Sequence, residues 1–371
     1  MLTWRVFYSV FVQRRLVVPQ VEHEFEGTPP TFPRQGGWSW YRLARGVEKR
    51  RNMLLWDFFE QHKPEWLDEF EFLYHYTSLD VLCNFLDSPQ SDFYCTHFKT
   101  LNDGKEMAAG VDFVVTWLRE KLKWEEETCF LFKAVYDSLI NSDGITSPWV
   151  MSFSRAFDSL SQWVAYTDSR RGGVAVGIRR TELLNAIDRF PGCYSKAVAK
   201  GGEKGKSMGF KLKLLPCLYT GRDKELIGKL VEEMLTPHLE VFKHIREGVS
   251  QGARRDWNTA ISAVLEFSSI IKDESFSHEQ EERLLLFPMT HSCLDCEILG
   301  GKPRWRTYIS ETRKEGIMSE IYRGLRGMIR KILISPHGDR QVLHTAVRVL
   351  LDKYGMTFCE LVDSQSPYNG R

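Results

Sequence analysis

The sequence predicts an α+β fold in which helices surround a mixed, mostly antiparallel sheet. The first observation is a series of short aromatic or apolar segments that are typical of strands: FLYHYTS, DFYCTHF, WVMSFSR, VAVGI, LLPCLYT, KILISP and TFCELV. The second is that helix-like segments with amphipathic spacing lie between several of these strands. The third is that hydrophobic residues make up 43% of the 371 residues, which is enough apolar mass for a large core.

The sequence pattern changes near residue 70, from irregular and mixed charged segments to regular strand and helix patterns. This change predicts an N-terminal extension over 1–70 and an α+β domain over 71–371. Residues 1 to about 40 are irregular, and the Pro- and Gly-rich segment EGTPPTFPRQGG is typical of a loop or linker. The stretch from Trp38 to Phe70 mixes charged residues with Trp and Leu, and we expect a helix that lies outside the main core.

The domain begins with the strand FLYHYTS, after which Thr77 and Asp80 fit a capping box for a helix over LDVLCNFL. The strand DFYCTHF, two helices, the strand WVMSFSR, a helix over SLSQWVAYTD and the buried strand VAVGI follow. The strand LLPCLYT then precedes an amphipathic helix over 223–248, which Pro237 should bend or split. Further helices over AVLEFSSII, SEIYRGLRGMIR and RQVLHTAVRVLLDKYG complete the pattern with the last two strands.

Composition limits the partners and the compartment. A net charge of +1 provides no global field for nucleic acid or an anionic membrane, so neither partner is supported. No stretch of 18 apolar residues occurs, and no secretory signal is recognised at the start. Eight irregularly spaced Cys do not form a disulfide framework, and we expect a reducing cytoplasm.

Two segments resemble ligand-binding motifs, but neither fits the spacing that its motif requires. GGEKGKS resembles a phosphate loop, but the pattern before Gly205 requires glycine at position 200, where Lys200 stands. HSCLDC offers His291, Cys293 and Cys296 without a second matching pair, so a turn is favoured over a zinc site. We therefore expect no metal.

The segment ESFSHEQEERLLLF, from Glu274 to Phe287, carries the most specific pattern. As a strand, it places Glu279, Glu281 and Arg283 on one face next to an apolar run. Two carboxylates in a core are costly unless they are paired or used in chemistry. The alternative is a solvated turn in which Arg283 neutralises both glutamates.

Six segments, in order, resemble the largely bacterial domain-of-unknown-function family 2971. They cover roughly residues 71–371. Glu282 stands where the family usually has Trp. The six segments are LYHYTSLDVLCNFL, LNDGKE, MSFSRAFDSLSQWVAYTDSRRGGVAVGI, KDESFSHEQEERLLL, IRKILISP and VDSQSPYNGR.

More loosely, the layout is similar to that of ADP-ribosyltransferases, which carry His or Arg on a first strand and Glu-x-Glu on a late one. This likeness implies that NAD is the substrate, that Glu281 holds its ribose 2′-hydroxyl, and that Glu279 orients or deprotonates an acceptor. His75 would bind a ribose hydroxyl beside a helix N-terminus, which favours anions. The remaining implied NAD-binding residues are Tyr76, Thr77, Ser154, Trp163, Tyr166 and Arg283, and core packing is the alternative for the three aromatic residues.

Three hypotheses follow from the sequence. The first is an NAD-using ADP-ribosyltransferase or NAD glycohydrolase, as an effector in bacterial defence. The second is a non-catalytic module that binds or senses a nucleotide-type small molecule. The third is another metal-independent enzyme, such as a hydrolase or nuclease, that uses Glu281 and His75. The first requires His75 and Glu281 to line the same cleft.

Overall fold

The structure is a computed structural model, and every residue that it describes belongs to the unit Lys49–Arg371. The described residues are 55–62, 64–87, 94–101, 107–141, 148–168, 170–188, 193–194, 208–236, 260, 263–288, 296–299, 302–306 and 325–367. The segment GGEKGKS, residues 102–106 of LNDGKE, and His291 and Cys293 lie outside these ranges.

The described strands alternate with helices along the chain. The strands are β1 (Phe72–Thr77), β2 (Tyr94–His97), β3 (Trp149–Ser154), β4 (Val174–Arg179), β5 (Cys193–Tyr194), β6 (Met208–Pro216), β7 (Leu218–Tyr219), β8 (Ile271–Lys272), β9 (Glu281–Pro288), β10 (Cys296–Leu299), β11 (Lys302–Arg306), β12 (Ile329–Ile334) and β13 (Glu360–Asp363). The α-helices are α1 (Leu55–Gln61), α2 (Leu79–Asp87), α3 (Ala108–Glu120), α4 (Glu126–Asn141), α5 (Leu160–Tyr166), α6 (Arg180–Asp188), α7 (Lys224–Leu230) and α8 (Arg340–Lys353).

Among the described residues, eleven strands form one mixed sheet, and its pairs are antiparallel except for β12 with β13. The prediction of an α+β fold with a mostly antiparallel sheet is therefore confirmed. Strand β3 is central, because β9 pairs with one edge along the whole of Trp149–Ser154. Its other edge is shared: β2 pairs at Trp149 and Val150, whereas β1 pairs only where Tyr74 meets Ser154. The sheet thus splits between β1 and β2.

The alternation of side chains along β3 and β9 divides the core between two faces of the sheet. Met151, Phe153 and Leu284 belong to a cluster that α2, α6 and α8 complete, and we call this side the first face. Val150 and Leu285 belong to a separate cluster that α1, α3, α4 and α7 complete, and we call this side the second face. A charged residue on β9 therefore faces one of two different environments, depending on the parity of its position.

The segment before β1 contributes to the core. Leu55 and Phe58 of α1 are fully buried in the cluster on the second face, together with Phe59. The expectation that the stretch up to Phe70 lies outside the main core is therefore wrong for these residues. Their apolar spacing within LWDFF allows a single helical turn to bury all three.

One local prediction needs correction, and another holds over its described part, which excludes Pro237. The side chain of Ser78, rather than Thr77, accepts a hydrogen bond from the Val81 amide at 3.3 Å at the start of α2, because Thr77 is still the last residue of β1. In the predicted helix over 223–248, the described part continues from α7 into a π-helical turn at Val231–Leu235.

Candidate functional site

The segment ESFSHEQEERLLLF is not a single strand. Glu274–Glu279 forms a 3₁₀ helix, Gln280 adopts a left-handed conformation with φ of 45°, and β9 begins at Glu281. Glu279 therefore does not share a strand with Glu281, contrary to the predicted alternation. The alternation holds from Glu281 onward, since Arg283 and Leu285 follow it on the second face.

Glu279 and Glu281 nevertheless meet at the same cation. Lys272 Nζ donates to Glu279 Oε2 at 2.6 Å and to Glu281 Oε2 at 2.8 Å. Arg283 Nε donates to Glu281 Oε1 at 2.8 Å, and Arg283 Nη1 donates to the Ser269 carbonyl at 2.6 Å. We call Lys272, Glu279, Glu281 and Arg283 the Glu281 cluster.

The Glu281 cluster is buried and balanced in charge. Glu281 is 4% exposed and Arg283 is 1% exposed, so the interpretation as a solvated turn is wrong, although Arg283 does neutralise Glu281. Burial alone would raise the pKa of the Glu281 carboxyl, but Arg283 and Lys272 hold it well below its usual range. The carboxylate is thus ionised, and both of its oxygens are engaged by cations.

His75 lies on the other side of the sheet. Its ring packs edge-on against Phe153 at a centroid distance of 6.0 Å, and Leu73, two residues earlier, belongs to the cluster on the first face. The Nδ1–H donates to the Ser152 carbonyl at 2.9 Å across the split in the sheet. Because β3 separates β1 from β9 and Glu281 is on the second face, the structure does not bring His75 and Glu281 into one cleft.

Tyr76 and Trp163 pack against each other. Their ring centroids are 4.7 Å apart, and both side chains are buried. The Tyr76 hydroxyl donates to the Ala156 carbonyl at 2.9 Å and accepts from the Ser159 amide at 3.0 Å. These contacts match the core-packing alternative for both aromatic residues.

The other three predicted NAD-binding residues are distributed over separate elements. Ser154, at the end of β3, donates to the Glu279 carbonyl at 2.6 Å and accepts from the Ala156 amide at 3.1 Å. Thr77 is a buried residue at the end of β1, opposite Val174 of β4. Tyr166 ends α5 with its side chain 38% exposed.

Asp158 connects two segments that carry the resemblance. Its carboxylate accepts from Trp163 Nε1 at 2.8 Å, from the Gln365 amide at 2.7 Å and from the Ser366 amide at 3.0 Å, and also from the Ser364 hydroxyl. Burial would raise the pKa of Asp158, but the bonds from Ser364 and Trp163 lower it. Asp158 therefore fixes the segment after β13 against the turn before α5.

A second charged group is built around Glu282, which lies on the first face. Glu282 is fully buried and accepts from Arg180 Nε at 2.9 Å, and Arg180 Nη2 lies 2.9 Å from the same oxygen. Arg155, which follows β3 directly, is 3% exposed and stacks on Trp66 with 4.2 Å between its guanidinium carbon and the ring centroid. Arg222 lies 5.7 Å from the same ring and is paired with Asp223 at 3.0 Å. We call Trp66, Arg155, Arg180, Arg222 and Glu282 the Arg155 cluster.

The sequence predicts Arg283 as a partner of Glu281, but it does not predict Lys272 or Arg155. Lys272 directly follows the apolar run AVLEFSSII, where a charge needs a buried partner, and this is the signal that could have linked it to Glu281. Arg155 carries no comparable local signal, because its partner Trp66 is distant in sequence.

Within the described ranges, no group of three or more His, Cys, Asp or Glu side chains is arranged to hold a metal ion. None of the described helices is long and apolar enough to cross a membrane. No family model, no curated protein and no solved structure matches the chain. The likeness to family 2971 therefore rests on the six sequence segments alone.

Proposed function

We propose that this chain is a non-catalytic module that binds a nucleotide-type small molecule. The observation that carries the proposal is the state of Glu281, whose two carboxylate oxygens are held by Lys272 and Arg283 at 4% exposure. A carboxylate that acts on a ribose hydroxyl must exchange one of these ion pairs for the substrate, and breaking a buried pair costs about 3–5 kcal/mol. The cluster is better suited to holding β8 and β9 together than to chemistry.

The position of His75 supports the binding part of the proposal. The ring is half-buried at the split between β1 and β2. Helix α2 begins four residues later, and the N-terminus of a helix favours anions. Since Nδ1 carries the proton donated to Ser152, the ring is fixed in one orientation. A fixed imidazole beside a helix N-terminus suits a ribose hydroxyl and a phosphate group.

Calorimetric titration with NAD and with ADP-ribose tests this proposal. We expect saturable binding to the full chain, and we expect His75→Ala to weaken it about tenfold, because one hydrogen bond to the ligand is lost. His62→Ala is the matched control, since His62 is also half-buried and bonds Glu233 at 2.8 Å on a different element. Absence of saturable binding of either ligand at millimolar concentration overturns the proposal.

The second candidate is the NAD-using ADP-ribosyltransferase or glycohydrolase. It is favoured by one register: Tyr74, Ser154 and Glu281 are direct neighbours across β1, β3 and β9. This row ends on Glu281, as the transferase layout ends on glutamate, but it begins on Tyr74 where that layout has His or Arg. Release of nicotinamide from NAD by the wild-type chain would favour this candidate over the binding module.

A further inference from the structure

Arg155 is a buried cation whose donors are not fully used. Its backbone amide donates to the Gln280 carbonyl at 3.0 Å, which fixes the residue at the end of β3. The Nε and Nη1 atoms are buried, and neither has a hydrogen-bond acceptor among the residues that the structure describes. Buried guanidinium donors are costly to leave unpaired, so such a group calls for an explanation.

The neighbouring charges do not compensate Arg155. The Glu282 carboxylate is bonded to Arg180, and Asp223 is bonded to Arg222. Among the described residues, these two carboxylates are thus engaged by guanidiniums other than that of Arg155. The Glu274 carboxylate, which also lies against Arg222, accepts from the Arg222 amide at 2.7 Å. Burial lowers the pKa of the Arg155 guanidinium, and Glu282 raises it by a smaller amount.

Two aromatic rings cover the guanidinium. Its central carbon is 4.2 Å from the Trp66 centroid and 5.6 Å from the Phe70 centroid. Stacking on rings stabilises the cation but leaves the edges of the guanidinium for hydrogen bonds in its own plane. The geometry therefore provides a positioned, planar guanidinium whose Nε and Nη1 have no acceptor among the described residues.

We propose that Arg155 binds an anionic phosphate group, with Trp66 as the ring that holds the guanidinium in position. Arginine suits this role because its donors match phosphate oxygens in charge and geometry. The ligand class, the phosphate groups of a nucleotide-type molecule, rests on the proposed function, whereas the anion site itself rests on Arg155 and its surroundings.

Entry of the anion requires movement of the covering segment. Trp66 lies in the short 3₁₀ helix Glu65–Asp68, which the backbone bonds from Leu67 to Pro64 at 2.9 Å and from Glu69 to Trp66 at 3.4 Å hold together. A one-turn element of this kind opens at low cost compared with the sheet beneath it. Binding should therefore change the surroundings of Trp66.

Titration with inorganic pyrophosphate tests the site. We expect saturable binding to the full chain by calorimetry and a change in tryptophan fluorescence. Arg155→Lys should weaken binding at least about tenfold, because lysine keeps the charge but loses the planar donors. Arg179→Lys, on the exposed Arg179 that stacks on Phe72 at 5.7 Å, is the matched control and should bind as the wild type does.

A Trp66→Phe variant separates the fluorescence change from the binding of pyrophosphate. The result from this variant does not depend on how well the Arg155→Lys variant folds. This variant should bind pyrophosphate within about threefold of the wild type, because phenylalanine retains a stacking face, but should lose the fluorescence change. Absence of saturable pyrophosphate binding by the wild type, or equal affinity of a folded Arg155→Lys variant, overturns the inference.

Competition distinguishes the two levels of the proposal. Displacement of pyrophosphate by ADP-ribose supports both the anion site and the nucleotide ligand. Binding of pyrophosphate through Arg155 without any binding of ADP-ribose or NAD supports the anion site and overturns the proposed function.

Discussion

Glu281 and Glu282 are adjacent in β9, yet they lie in opposite kinds of charged environment. Glu281 points to the second face, where Lys272 and Arg283 bind both of its oxygens and the charges of the Glu281 cluster balance. Glu282 points to the first face, where it bonds Arg180. The nearby Arg155 has two buried donors, Nε and Nη1, with no acceptor in the part of the chain that the structure describes. One step along a strand thus separates a closed ion-pair network from a carboxylate whose neighbouring guanidinium, that of Arg155, is incompletely bonded among the described residues.

The difference separates buried charges that are paired within the protein from the buried cation for which we propose an external anion. A fully paired cluster has no free donor or acceptor for a substrate, and disrupting it mainly damages the fold. A cluster with an unpaired donor gains stability from an external anion. The number of carboxylates in a segment is therefore a weaker guide to a binding site than the balance of donors and acceptors around it.

Replacing Glu281 should have the largest effect. Glu281→Ala leaves Arg283 and Lys272 buried without this partner, and we expect a loss of about 3–5 kcal/mol in the free energy of unfolding. Urea denaturation followed by circular dichroism measures it. The control is Glu71→Ala, whose carboxylate is 60% exposed in its pair with Arg179 and should contribute less than about 1 kcal/mol. Equal, small losses for both variants would contradict the structural role of the Glu281 cluster.

Glu282→Gln sharpens the comparison from the other face. The amide still accepts a hydrogen bond from Arg180 but carries no charge, so we expect a smaller loss of about 2–3 kcal/mol. Removal of this negative charge should also tighten pyrophosphate binding, because the Glu282 carboxylate near Arg155 repels an anion. Denaturant titration and calorimetry give the two quantities, and weaker pyrophosphate binding by the folded variant would contradict the assignment of the anion site.

Replacing Asp158 should destabilise the fold less than replacing the buried glutamates. Both oxygens of its carboxylate accept hydrogen bonds, but the residue is only half-buried. Asp158→Ala removes the acceptor for Trp163 and for the Gln365 and Ser366 amides, and should cost about 2 kcal/mol. Asp168→Ala is the control, because the bonds that the described residues donate to its carboxylate come from the Arg170 and Arg171 amides in its own exposed turn. The Asp168 variant should lose about 1 kcal/mol or less in the same urea experiment. A loss as large as that of the Asp158 variant would show that the link to Ser364–Ser366 adds no stability.

The smallest expected effect is that of mild acidification on the free energy of unfolding. The folded-state pKa values of Glu281 and Asp158 lie below the ordinary values of 4.5 and 3.8, so their contributions are complete above those values. As the pH falls below 4.5, the unfolded chain takes up protons first and stability declines. When the free energy of unfolding is measured from pH 7 downward, the contribution of these two carboxylates should stay constant until about pH 5. Loss of stability on raising the pH across this range would contradict ionised, ion-paired carboxylates.

Local pattern was enough to predict much of the fold, including the strands around VAVGI and the shared face of Glu281 and Arg283. It was insufficient for His75, because β3 lies between β1 and β9 and strand order is set by long-range packing rather than by spacing. The same limit applies to Arg155, whose environment depends on Trp66, Arg222 and Glu282 from three other segments. Gln280 in its left-handed conformation separates Glu279 from the strand, and no residue such as Gly marks that break in the sequence.

The most direct test of the central claim is nicotinamide release from NAD by the purified full chain, with Glu281→Gln measured alongside. If Glu281 is a structural ion pair in a binding module, the wild type releases no more nicotinamide than a protein-free control, while titration still detects bound nucleotide. Release by the wild type would contradict the account, and its loss in a Glu281→Gln variant that still unfolds cooperatively would assign the chemistry to Glu281.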